Sequence, residues 1–291
     1  MTQDDPASIP LVSHIAPLAA TLDLWLVDIW GVMHNGVLPF PEAVEACRRF
    51  RAGGGTALLL SNAPRPEASV VDQLDRIGVA REAYDAIVTS GDAARAAIRQ
   101  AAGAGKAIGH LGPERDLGIY DGLGVKPAPL DVADVVVCTG LFDDTTETPD
   151  SYTAILDGFV DRVIPMICAN PDLTVERGGH VVFCAGAIAA AYEARGGAVV
   201  YAGKPHLPVY DMAFRRAAQL RGHEVAKART LAIGDGIRTD IEGAAKAGIR
   251  SVFVASGIHV AAGRPLDAVA LEALFPAGAP RPVAAMTALR W

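Results

Sequence analysis

Basic charge is what this chain has least to spare: 26 Lys and Arg stand against 33 Asp and Glu, a net charge of −7. Affinity for a phosphate backbone needs a basic face, so a general nucleic-acid binder is excluded, whereas a small phosphorylated ligand is not. Cysteine is equally scarce. Cys47, Cys138, Cys168 and Cys184 lie far apart, without metal-type spacing, and read as buried free thiols. No uncharged apolar run reaches the roughly 18 residues that a membrane helix needs. The opening Met-Thr-Gln-Asp-Asp-Pro is acidic and has no basic region before an apolar core, so it does not read as a signal peptide. The expectation is a cytoplasmic protein that binds neither nucleic acid nor membrane, and no internal repeat is evident.

What is present fits helices packed on a buried sheet. The chain has 291 residues, 51% hydrophobic and 20% charged, enough for about two domains. Its organising stretch is residues 24 to 36. Four apolar residues, Leu24 to Val27, run without polar alternation into Asp28, and Gly31 and Gly36 follow. Such a run reads as a strand buried on both faces of a parallel sheet. Asp28 then stands at its carboxyl end, where open α/β sheets bind ligands.

A short helix is expected within residues 6 to 22, and Pro41 opens another that Gly53 to Gly55 stop. Thr56 to Leu60 form a second buried strand that delivers Ser61 and Asn62 to the edge of Asp28. A helix from Pro64 to about Ile77 follows, then a strand over Ala86 to Thr89 and an alanine-rich helix capped by Asp92. Gly103 to Gly105 mark a boundary. New strands come at Lys106 to His110, Val132 to Cys138 and Val163 to Ala169, with the acidic stretch Asp143 to Asp150 read as a solvated loop and helix start. An alanine-rich helix over 186 to 195 leads to a strand at Ala198 to Ala202, which ends in Gly203-Lys204-Pro205. After a helix over 208 to 221, the run from Thr230 is a buried strand, a Gly-Asp turn and a helix starting near Thr239. Ser251 to Ala255 give a last strand. The tail reads as proline-rich loops, with Trp291 packed on the core.

Four strand ends thus carry polar groups: Asp28, Ser61 with Asn62, Lys204, and Asp235 with Asp240. Each follows an apolar run, so they are expected to converge on one edge of one sheet. Close carboxylates repel unless a divalent cation lies between them, and oxygen-only ligation selects Mg²⁺. Asp28 is then a nucleophile on phosphorus, Lys204 offsets the charge, and Ser61 and Asn62 donate to a phosphate near a helix amino terminus.

These motifs resemble the haloacid dehalogenase (HAD) superfamily, specifically its class IIA phosphatases. The family's Asp-x-Asp-Gly-Val-Leu-x-x-Gly compares with Asp28-Ile-Trp-Gly-Val-Met-His-Asn-Gly36. Ser61-Asn62-Ala63-Pro64-Arg65 resembles its second motif, Gly203-Lys204-Pro205 its third, and Gly234-Asp235-Gly-Ile-Arg-Thr239-Asp240 its fourth. The resemblance implies an α/β fold: a Rossmann-like core with a parallel sheet, formed by residues 1–103 and 199–291, and a large α/β cap inserted over 104–198. It implies a Mg²⁺-dependent phosphatase of a small phosphorylated metabolite that works through a phosphoaspartyl intermediate. Asp28, the backbone carbonyl of Trp30, and Asp235 would hold the metal, with Asp240 in support. Arg65 would join the phosphate and substrate group, and Asn170, Asp172 and Gly186 match cap segments that lie over the active site. Class IIA relatives often assemble through the cap, which leaves room for a homo-oligomer.

One position departs from the pattern. The second carboxylate of the first motif, the family's general acid and base, is Trp30, and an indole cannot lend a proton at neutral pH. General acid-base help is typically worth about 10²- to 10⁴-fold, which restricts turnover to good leaving groups such as aryl, enol or acyl phosphates. His34 is the nearby titratable candidate to replace it, with a loop histidine facing solvent or the cap as the plainer reading. The alternative function is a phospho-ligand-binding or regulatory protein with little turnover. A dehalogenase-type reaction, in which an aromatic residue also follows the nucleophile by two, needs no metal, and the retained Gly-Asp-x-x-x-Thr-Asp motif argues against it.

Overall fold

The structure is a computed structural model that describes residues 8–177, 180–255 and 266–291. Twelve strands occur among them: β1 Leu24–Val27, β2 Thr56–Ser61, β3 Ala86–Thr89, β4 Ile108–Leu111, β5 Val135–Cys138, β6 Met166–Cys168, β7 Thr174–Arg177, β8 His180–Phe183, β9 Val199–Tyr201, β10 Thr230–Gly234, β11 Arg250–Val254 and β12 Ala284–Met286. The chain divides into two compact units. One comprises Met1–Leu60, Gln73–Ile87 and Tyr210–Trp291; the other comprises Ser61–Asp72 and Val88–Val209.

In the first unit the strand order is β12-β11-β10-β1-β2-β3. β1 runs parallel to both β10 and β2, with Val27 opposite Ile233 and Leu59. Every residue of β1, β2 and β10 is buried, as unalternating apolar runs require of a strand covered on both faces. Trp25 stacks on Phe50 of the helix Pro41–Ala52, with ring centroids 4.0 Å apart and planes 4° apart. Trp291 packs at a tilt on the same indole at 6.2 Å.

The second unit carries the parallel sheet β4-β5-β6-β9 and the antiparallel pair β7-β8. Its core gathers Val136, Cys138, Met166 and Cys168 from the strands, Phe159 from the helix Thr153–Asp161, and Ile188 and Tyr192 from the helix Ala185–Glu193. All four cysteines are buried and free.

Several expectations from the sequence need correction. The strand before Lys204 is β9, which pairs with β6 in the four-stranded sheet, so the four polar strand ends do not share one sheet. An apolar run specifies burial and not which neighbour it pairs with. The amino-terminal helix is only Ala16–Ala19; Leu11 before it bridges Ala285, which draws the backbone into an extended conformation. Residues 6 and 7 lie outside the described residues. The tail is not merely loops, since it contains the helix Ala268–Leu274 and the edge strand β12. The β7-β8 pair has no counterpart in the sequence reading.

Asp92 is not the cap of its own helix, because the chain turns from β3 into the helix Ser90–Gly103 without a loop. Thr89 takes that place, its side chain accepting from the Asp92 N–H at 2.9 Å. The Asp92 carboxylate instead accepts the N–H of Glu67 at 3.0 Å, at the start of the helix Glu67–Ile77. Asp144 is not solvated either. Its side chain is 8% exposed and lies 2.6 Å from Arg115 and 2.7 Å from Arg177.

Candidate active site

In the first unit, Asp28 leaves β1 while Asp235 and Asp240 follow the adjacent β10. Their carboxylate oxygens lie within 4.8 Å of one another, Asp28 and Asp240 buried and Asp235 half-buried. Glycine makes the approach possible. A Cβ at Gly31, where φ is +82°, would fall 2.2 Å from Asp235 Oδ2, and a Cβ at Gly234 would fall 2.1 Å from the Asp240 carboxyl carbon. Asp240 Oδ2 also accepts the N–H of Gly236 at 3.0 Å, which pins the turn below it. The turn runs into a π-type helical segment, Ile237–Ile241, two residues ahead of the expected helix start. Three hard oxygen donors at this spacing fit an oxygen-seeking divalent cation, whose charge would relieve their repulsion.

Trp30 is seated beside this cluster. Its ring meets His34 edge-on at 5.2 Å, and a Cβ at Gly36 would fall 2.6 Å from its Cη2. His34 is 1% exposed, so of the two expected placements for a loop histidine, facing solvent or the cap, the first is not the one adopted. Its carbonyl accepts the Gly31 N–H at 2.9 Å, and its Nδ1 accepts the Gly36 N–H at 2.8 Å. Burial pushes its pKa down to about 4, so the ring is neutral at physiological pH and a buried acceptor in the loop.

The remaining site residues lie in the second unit. Ser61 Oγ accepts the Ala63 N–H at 3.1 Å. Asn62 spans two segments: its Oδ1 accepts the Lys204 N–H at 2.8 Å, and its Nδ2 donates to the Lys204 carbonyl at 3.1 Å and to Asp172 Oδ1 at 2.8 Å. Lys204 is thus held by Asn62 within the second unit. Asn170 Oδ1 accepts the Asp172 N–H at 3.0 Å. Gly186 lets the start of its helix abut the carbonyls of Pro171 and Asp172, because a Cβ there would fall 2.2 and 2.5 Å from them. Arg65 is drawn to the buried Asp116, with Nε 3.9 Å from a carboxylate oxygen. Burial raises the Asp116 pKa, an effect that the charges of Arg65 and Arg115 oppose.

One seat was missed from sequence, that of Ser90. Gly36 and His34 hold the Trp30 ring, and Ser90, at the start of the helix after β3, places a fully buried hydroxyl 2.6 Å from where a Gly203 Cβ would sit. Ser90 follows an apolar run as Ser61 does, which was the available signal.

Comparison with known proteins gives the family. Residues 25–126 match the family model described as haloacid dehalogenase-like hydrolase, and residues 201–273 match a HAD-hydrolase-like model. A solved structure of a hydrolase of the haloacid dehalogenase-like family from Brucella suis is 42% identical over 96% of this chain and 100% of its own, with a TM-score of 0.86. The chain belongs to the haloacid dehalogenase-like hydrolases. The fold is shared further with a 4-nitrophenylphosphatase from Thermotoga maritima, 23% identical, covering 93% of this chain and 95% of that one, TM-score 0.69. It is also shared with a glycerol phosphate phosphatase from Mycobacterium tuberculosis in complex with calcium, 24% identical, covering 92% and 74%, TM-score 0.68. No curated protein matched the sequence. No helix among the described residues is long and apolar enough to cross a membrane.

Proposed function

We propose that this protein is a class IIA phosphatase, a Mg²⁺-dependent hydrolase that removes the phosphate of a small phosphorylated metabolite through a phosphoaspartyl intermediate. The observation that carries the reading is the three-carboxylate cluster of Asp28, Asp235 and Asp240 at the ends of adjacent parallel strands. In the first step an Asp28 carboxylate oxygen bonds to phosphorus, and the bond from phosphorus to the leaving oxygen breaks with its electron pair on that oxygen. Water then attacks the phosphoaspartate, which returns the Asp28 carboxylate and releases inorganic phosphate. Lys204 offsets negative charge on the carboxylate and the phosphoryl oxygens, and Ser61 donates to them. A Mg²⁺ held by Asp28, Asp235, the Trp30 carbonyl and, in support, Asp240 would neutralise the charge that gathers on phosphorus.

Trp30 and the neutral His34 leave the first motif without a proton for the departing oxygen. The substrate is therefore one whose leaving group departs as a stable anion, such as an aryl, enol or acyl phosphate. We read the four-stranded sheet as the inserted cap of 104–198, with its edge strand continuing to Tyr201, and Asn170, Asp172 and Gly186 as its segment nearest the substrate. The same missing acid favours a second reading, a phospho-ligand-binding or regulatory protein with little turnover. A phosphate-release screen over phosphorylated metabolites, with and without Mg²⁺ and with Asp28→Asn as control, separates the two. Mg²⁺-dependent release that Asp28→Asn abolishes supports the phosphatase, and saturable binding without release above that control overturns it.

A further inference from the structure

Asn62 occupies the position at which the second motif is expected to offer a phosphate a hydrogen bond, yet its amide has nothing left to offer. A side-chain amide carries two N–H donors. Both are used within the fold, one on the Lys204 carbonyl at 3.1 Å and one on Asp172 Oδ1 at 2.8 Å. Its oxygen accepts the Lys204 N–H at 2.8 Å, and because that backbone group can only donate, the orientation of the amide is settled. Asn62 is 4% exposed and Lys204 is 2% exposed, so these bonds form away from competing water.

The backbone of the lysine is therefore gripped at both its N–H and its C=O by one side chain. Asp172 in turn holds that side chain, and Asp172 is itself anchored by its own N–H on Asn170 Oδ1 at 3.0 Å. Packing closes the arrangement: a Cβ at Gly203 would fall 2.3 Å from Asn62 Oδ1, 2.6 Å from Ser90 Oγ and 2.8 Å from Pro171 Cδ. Glycine before Lys204 is what lets the amide lie flat against the lysine backbone.

We propose that the Asn62 side chain is a positioning group rather than a phosphate ligand: its amide clamps the backbone of Lys204, and the Asp172 carboxylate locks that amide in place. The kinetic consequence rests on the phosphatase reading, whereas the clamp itself does not. A misplacement of about 1 Å in a charge-stabilising group can lower the rate about 10²-fold.

The test uses the full chain with Asn62→Asp and with the exchange Asn62→Asp/Asp172→Asn. The single variant keeps the acceptor for the Lys204 N–H and sets a carboxylate against Asp172 and the Lys204 carbonyl. The exchange restores a donor and an acceptor between the two positions and leaves a carboxylate oxygen of position 62 against the Lys204 carbonyl. On p-nitrophenyl phosphate in Mg²⁺, the single variant should lose about 10- to 100-fold in kcat with KM changed by less than about threefold, and the exchange should recover part of that loss. A raised KM at unchanged kcat, or no recovery in the exchange, overturns the clamp. In parallel, amine acetylation mapped by mass spectrometry should label Lys204 faster in the single variant and more slowly again in the exchange, and equal labelling in all three proteins overturns it. If the native protein releases no phosphate, the phosphatase reading fails, and the labelling result still decides the clamp.

Discussion

Trp30 shows how much one side chain decides about the chemistry open to this site. Its ring rests on His34 and against the bare face of Gly36, so it is held and not a loose surface indole. Phosphate release from p-nitrophenyl phosphate should therefore far exceed release from glycerol phosphate. Trp30→Asp should narrow that ratio while lowering stability by about 2 kcal/mol for the lost ring contacts. Equal rates on the two substrates in the native protein would refute the leaving-group argument. Gly31 makes a second prediction. A methyl there meets Asp235 Oδ2 and must also adopt a left-handed backbone conformation, which costs about 1–2 kcal/mol. Gly31→Ala should weaken Mg²⁺ binding by at least about tenfold in calorimetry, because the Asp235 carboxylate has to leave its place.

Among the elements, the β7-β8 pair depends on charge in a way its sequence conceals. Burial raises the pKa of Asp144, but the hydrogen bond from Arg177 and the charges of Arg115 and Arg177 outweigh it and hold the carboxyl below its ordinary 3.8. A depressed folded pKa contributes stability that is present above the unfolded value and is lost as pH falls through the folded one. Proteolytic cleavage within β7 or β8 should accordingly be slow at neutral pH and accelerate below about pH 4. Asp144→Asn should make cleavage fast at pH 7, by about 2 kcal/mol of local stability, and flatten the pH dependence; an unchanged profile would exclude the link. The same stretch marks a limit of reading by pattern. Asp143 to Asp150 looks solvated because it is acidic, and only the arrival of two arginines from distant segments makes Asp144 a buried anchor.

For the whole molecule, a cation held by the three-carboxylate cluster would couple its binding to folding. Anything that binds the native state alone stabilises it, by about 2.7 kcal/mol at a concentration 100 times its dissociation constant. Mg²⁺ should raise the unfolding temperature by several degrees, EDTA should reverse the rise, and Asp235→Asn should abolish it. A melting curve indifferent to Mg²⁺ would count against the cluster as a cation site.

The sequence by itself determined the strands β1, β2 and β10, the acids at the ends of β1 and β10, and the family. Those features are local, an apolar run ended by glycine and a carboxylate, and their meaning lies in residue order. Tertiary structure decided the rest. Which sheet β9 joins, where the three hydrogen bonds of Asn62 go, whether His34 meets water, and what surrounds Asp144 all depend on partners remote in sequence. Burial and hydrogen bonding are properties of the neighbours a residue acquires, and no spacing along the chain encodes them.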